Sequence, residues 1–200
     1  MESRTRLRAR MRASFLLAAG ALLAFQAAAA GPREELHEAY ERFLAATSFR
    51  ASLTDVAKGK TLTEMEFVAP DRYRVSVQGG PSQLVIGDAM YMDMGGRTMK
   101  LPMPAGNLVG QYRSREALEA LERDLVVDAL GADSVDGEPA KVYHYVTTQH
   151  GRADVKAWIS DRSGLPLQLE TTGKADGKSQ TVRIRYRDFN DPSIRIAAPD

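Results

Sequence analysis

The chain has 200 residues, 27 Lys plus Arg, 26 Asp plus Glu, a formal net charge of +1 and no cysteine. That length allows one domain with a real core. The absence of cysteine excludes disulfides, thiolate metal sites, cysteine nucleophiles and redox motifs. The small net charge hides an asymmetry, because five arginines and one glutamate fall within the first 30 residues. Removing them leaves 22 basic and 25 acidic residues, a net of −3, which argues against nucleic acid as a partner.

Residues 1–30 read as a cleavable secretory signal. Arg4, Arg6, Arg8, Arg10 and Arg12 form a basic start, Ala13 to Phe25 carry no charge, and Ala28 and Ala30 supply the small side chains of a peptidase site. A permanent spanning helix needs about 20 apolar residues, more than this run offers. Cleavage after Ala30 would leave residues 31–200 as one exported domain. Lacking cysteine, that domain has no residue to receive the lipid of a bacterial lipoprotein.

Pro32 stands at a first helical position, with Glu34 and Glu35 in the turn where the helix dipole favours acids. Leu36, Tyr40, Phe43 and Leu44 then form one apolar stripe, predicting a helix over 32–46. From Phe49 the period changes to two, predicting strands at 49–57, 61–68, 72–78, 83–87 and 89–94. The turn signals between them are Lys58-Gly59-Lys60, Pro70-Asp71, Gly79-Gly80-Pro81 and Gly87-Asp88, and Gly95-Gly96 ends the last strand. Connections this short leave no room for crossover helices, so the sheet is expected to be antiparallel.

Residues 101–112 read as a loop, and Ser114 as the N-cap of a helix to about Leu130, with Leu118, Leu121, Leu125 and Val126 inward and Gly131 as its stop. Strands resume at 140–149, 154–160, 165–172 and 179–188, the last two joined through Asp176-Gly177.

The order and spacing of several junctions resemble the periplasmic lipoprotein-carrier, or LolA-like, superfamily. The residues that carry the likeness are Val68-Ala69-Pro70-Asp71-Arg72-Tyr73-Arg74, the hairpin Leu84 to Met92, the run from Val155 through Trp158 and Asp161 to Gly164-Leu165-Pro166, and the ending Asp191 to Ile196. The resemblance covers essentially 32–199. It implies an α+β fold: a single curved antiparallel sheet forming an incomplete β-barrel, covered on its concave side by helices. It also implies a non-catalytic periplasmic carrier, a monomer that holds lipid or lipoprotein acyl chains and passes them between membrane-protein donors and acceptors. The alternative within the same fold is an envelope sensor or adaptor that binds another envelope protein. Arg72 and Arg74 are the candidates for the arginine that latches the family's helical lid.

Six of the eight methionines, Met65, Met90, Met92, Met94, Met99 and Met103, lie in or beside the early strands. Unbranched, polarizable side chains can repack around chains of variable shape, although a methionine also fills an ordinary core. The expected acyl cavity is Met65, Phe67, Tyr73, Val75, Leu84, Ile86, Met90, Met92 and Met94 from the strands, closed over by Leu118, Leu121 and Leu125 from the second helix. No cofactor, metal or catalytic residue is expected. His37, His144 and His150 lack the helical pairing of a zinc protease, and there is no Gly-x-Ser-x-Gly elbow or phosphate loop. Trp158 is out of phase with Val155, Ala157 and Ile159, a structural residue or a cavity rim. Arg183, Arg185 and Arg187 read as the solvated face of a strand.

Overall fold

The computed structural model describes residues 30–199 apart from 96, 102–112, 124, 149–150 and 176. The expected signal segment therefore lies outside the described residues, save Ala30, as do Met103 and His150. Helix α1 spans Pro32–Ala45, with Glu34 and Glu35 in its first turn, and buries Leu36 and Ala39 completely. Six strands follow: β1 (Ser48–Asp55), β2 (Lys60–Val68), β3 (Arg72–Val77), β4 (Ser82–Ile86), β5 (Ala89–Asp93) and β6 (Thr98–Leu101). Helix α2 (Arg115–Glu122) comes next, then β7 (Val127–Val135), β8 (Glu138–Thr147), β9 (Ala153–Ser160), β10 (Pro166–Ala175) and β11 (Lys178–Arg187).

All eleven strands form one open antiparallel sheet, ordered β6-β5-β4-β3-β2-β1-β11-β10-β9-β8-β7. Two meanders, β1–β6 and β7–β11, are joined where β1 pairs with β11, from Arg50 opposite Arg187 to Asp55 opposite Val182. The expected antiparallel half-barrel class is thus observed as an open sheet with β6 and β7 at its edges, and with α1 packed on one face.

That face carries most of the core. On the late arm, Leu36 and Ala39 of α1 bury against Tyr143, Tyr145, Val155, Ala157 and Ile159. On the early arm, Phe49, Ala51, Phe67, Tyr73 and Val85 form a second cluster with Phe43 of α1, Tyr186 and Phe189. Its aromatic rings stand 4.9–6.3 Å apart, within stacking range. The opposite face is mostly charged, with one small cluster of Val135, Ala140, Val142 and Trp158. There Trp158 Nε1 donates to Asp133 Oδ2 at 2.8 Å, and the carboxylate sits below its ordinary pKa because the indole and the Ser134 amide bond its charged form. Trp158 is a structural residue of that face.

The second helix departs from expectation. Ser114 is its N-cap, its Oγ accepting from the Ala117 amide at 3.1 Å, but the helix ends at Glu122 rather than near Leu130. From Val127 the chain pairs with β8 instead. Gly131, expected to stop a helix, sits at a bulge between Ala129 and Gly131 with φ of 101°. A bulge removes the strict alternation by which a strand is recognised.

Candidate functional site

Cross-strand partners in an antiparallel ladder point to the same face, so the register sorts the expected cavity residues. On the helix-bearing face the early arm presents three successive rows. The innermost runs Phe67, Tyr73, Val85, Met90, Leu101. The middle row runs Met65, Val75, Gln83, Met92, Met99. The outermost holds Val77 of β3, opposite Thr63 of β2, and Met94, two residues beyond Met92. Along β3 burial falls in the same order, and it falls again toward the β6 edge, where Met99 of the middle row is 53% exposed. Phe67, Tyr73 and Val85 are 0, 6 and 3% exposed, Met65, Val75 and Met92 are half-buried, and Val77 and Met94 reach 41 and 57%.

Two expected members do not belong here. Leu84 pairs with Arg74 and Tyr91, and Ile86 with Arg72 and Ala89, so both project from the opposite face. Val85 and Gln83 take their places. Leu84-Val85-Ile86 is an unbroken apolar run without alternation, so its phase is set by pairing alone. The apolar residues on the far side have a reason. The chain after β11 returns across that face and buries Ile194 and Ile196, 4 and 3% exposed, while Arg72 Nη1 donates to the Ile196 carbonyl at 2.7 Å.

Nor do Leu121 and Leu125 close over the methionines. Leu121, from α2, and Leu125, from the connection after it, pack into the late-arm cluster beside Tyr145 and Leu36. Leu118 is buried on the same helix. Helix α2 is tied beside α1, with Arg115 bidentate to Glu41 at 2.9 and 3.1 Å and His37 Nδ1 at 2.5 Å from Glu122 Oε1.

The residue that grips α1 is Arg113, just before α2, and not Arg72 or Arg74. Its Nη2 donates to the carbonyls of Phe43, Leu44 and Ala46 at 2.9, 2.8 and 2.9 Å. The last carbonyls of a helix have no intrahelical donor, so this cation occupies both their lone pairs and the negative end of the dipole. The guanidinium carbon lies 4.0 Å from the Phe67 ring centroid, a cation–π contact on the floor of the face. Its Nε is buried without a hydrogen-bond partner among the described residues. Burial lowers the Arg113 pKa from its ordinary value and raises that of neighbouring Tyr73, against the pull of Arg113's charge. Arg74 instead pairs with Glu66, and both Arg72 and Arg74 hold the C-terminal segment. The sequence signal for Arg113 is slight: an arginine directly before a Ser N-cap, at the end of a Pro- and Gly-rich stretch.

Around this site the polar groups are structural. Tyr40 and Tyr145 share a hydrogen bond at 2.6 Å beneath α1, and burial pushes the Tyr145 hydroxyl up to about 12. Glu35 accepts from Lys141 at 2.8 Å and from Tyr143, which holds its carboxyl below the usual range. His144 lies 3.6 and 3.4 Å from Asp128 and Asp154. Arg183 pairs with Glu170 and Arg185 with Asp136, on the charged face.

No family model matches the sequence, and no curated protein matches it. Solved structures do. The chain is similar to the Mycobacterium tuberculosis lipoprotein LppX, with 14% identity, a TM-score of 0.59, and 81% of this chain and 96% of that one covered. It is similar also to LprF from Mycobacterium bovis, with 13% identity, a TM-score of 0.61, and 84 and 96% covered. At such identities the likeness establishes architecture. The chain shares the fold of LppX and LprF.

Proposed function

We propose that the chain is a non-catalytic envelope carrier or binding protein for lipid or lipoprotein acyl chains, exported to the periplasm and acting as a monomer. The observation that carries this reading is the graded apolar face: a fully buried aromatic floor, then half-buried Met65, Val75, Met90 and Met92, then an open rim. Methionines at that depth can shift to admit an alkyl chain without exposing the floor beneath. The shared fold with two mycobacterial proteins, one of them described as a lipoprotein, supports the reading at the level of architecture. Burial alone supplies the binding energy. At roughly 0.8 kcal/mol per methylene, a 16-carbon chain offers about 12 kcal/mol of gross transfer energy.

The test is native mass spectrometry of the protein purified from a cell envelope, followed by titration of delipidated protein with a fluorescent fatty acid. Co-purified lipid and saturable probe binding are expected. Absence of both overturns the carrier reading. Capture of one stoichiometric envelope protein without lipid would replace it with the adaptor alternative.

A further inference from the structure

The end of the sheet where β3 and β5 stop carries a feature that acyl binding inside the face does not require. Val77, Met94 and Met99 are 41, 57 and 53% exposed, three of the five large apolar residues that are exposed among the described residues. The register makes them one patch. Met99 is opposite Met92, Met92 opposite Gln83, and Gln83 opposite Val75, so Val77 and Met94 stand one step beyond that row on strands separated only by β4. Strands two apart in a sheet lie about 9.6 Å from each other, within the span of two such side chains. Exposed Pro81 lies between them, at the tip of the β3–β4 turn.

The same end is basic. Lys60 opens β2 and Arg97 lies in the turn before β6; both are exposed and neither has an ion pair among the described residues, while exposed Lys100 on β6 pairs with Tyr91 and so projects from the opposite face. Lys178, also exposed, opens β11 at this end of the sheet. Of the acids there, Asp55 is held by Lys58 at 3.2 Å, Asp93 has a partner of its own, and Glu64, although exposed, lies on the face opposite the patch. A small apolar tip ringed by unpaired long cationic side chains is the pattern of a surface that dips its apolar residues to the acyl boundary while the cations meet headgroup phosphates. It is a poor protein interface, since three side chains fall far short of the roughly 800 Å² per partner of a stable one.

We infer that this rim docks the protein on an anionic phospholipid surface, with Val77, Met94 and Met99 entering the interface and Lys60 and Arg97 contacting phosphate. The inference does not depend on carriage, since a module that holds no acyl chain can dock in the same way. Docking here would turn the Met65 to Met92 row toward the bilayer.

The experiment is co-sedimentation of the protein with phosphatidylglycerol-containing vesicles and, separately, with pure phosphatidylcholine vesicles. Binding to the anionic vesicles alone is expected, falling about tenfold from low to high salt as surface charges are screened. Met94→Ser with Met99→Ser, and separately Lys60→Gln with Arg97→Gln, should each weaken it about tenfold. The charge variant should bind the fatty-acid probe like the parent, separating docking from carriage. Equal binding to neutral vesicles, or variants that sediment like the parent, would overturn the inference. So would a concentration-dependent dimer that the methionine variant dissociates, because the rim would then belong to a second copy.

Discussion

Arg113 joins the last turn of α1 to the aromatic floor through three carbonyls and one ring. Arg113→Met keeps the apolar stem and removes the donors, leaving carbonyls at a helix end without partners. We predict a loss of about 2 kcal/mol in chemical denaturation and faster amide hydrogen exchange over residues 43–47. Glu35 gives a pH-dependent counterpart. Because its folded pKa lies below the unfolded value, chiefly through Lys141 and then Tyr143, its contribution is present at neutral pH and lost as pH falls through the folded value. Glu35→Gln should therefore cost about 1 kcal/mol at neutral pH, and the gap between variant and parent should close in strong acid. Met92, half-buried in the middle row, decides between wall and core. If it lines an acyl site, Met92→Lys should fold, with its ammonium reaching water, and lose fatty-acid binding. An unfolded variant would show that Met92 is packing alone.

At the scale of elements, what the sequence showed depended on whether alternation survived. β2 and β3 could be read directly, because Met65, Phe67, Tyr73 and Val75 alternate with Glu64, Glu66, Arg72 and Arg74. β4 could not be phased, since Leu84, Val85 and Ile86 are all apolar and both faces of that strand are covered. β7 was hidden twice. It is an edge strand exposed from Asp128 to Ser134, and its bulge interrupts the period. The leucine spacing that begins in α2 also continues past its end to Leu125, which buries from a connection. Arg113 was missed because what marks it is spatial: the carbonyls it serves lie some seventy residues away. The bulge makes its own prediction. A Cβ on Gly131 would meet nothing within 4 Å, so the cost of Gly131→Ala comes from its positive φ alone. We expect about 1 kcal/mol in thermal or chemical unfolding, with no change in fatty-acid binding.

For the whole molecule, the joint between the two arms is the pairing of β1 with β11, the first strand with the last. Just beyond it Asn190, in the left-handed region at φ 58°, accepts from the amide and hydroxyl of Thr47 and donates its own amide to the Ser48 carbonyl. Asparagine tolerates that conformation better than most side chains. A chain truncated before Lys178 would keep every hairpin except β10–β11 and lose both of β11's ladders, leaving β1 and β10 as raw edges. We predict that such a chain is soluble only as a partly folded species, with dispersed amide resonances lost from both arms.

That joint also imposes an order of events in time. The early arm emerges first from a ribosome or a secretion pore, yet its inner edge has no partner until the final strand appears. Contacts that span nearly the whole chain form slowly, because closing so long a loop costs entropy before any contact repays it. The union of the two arms into one sheet therefore waits until translation is almost finished.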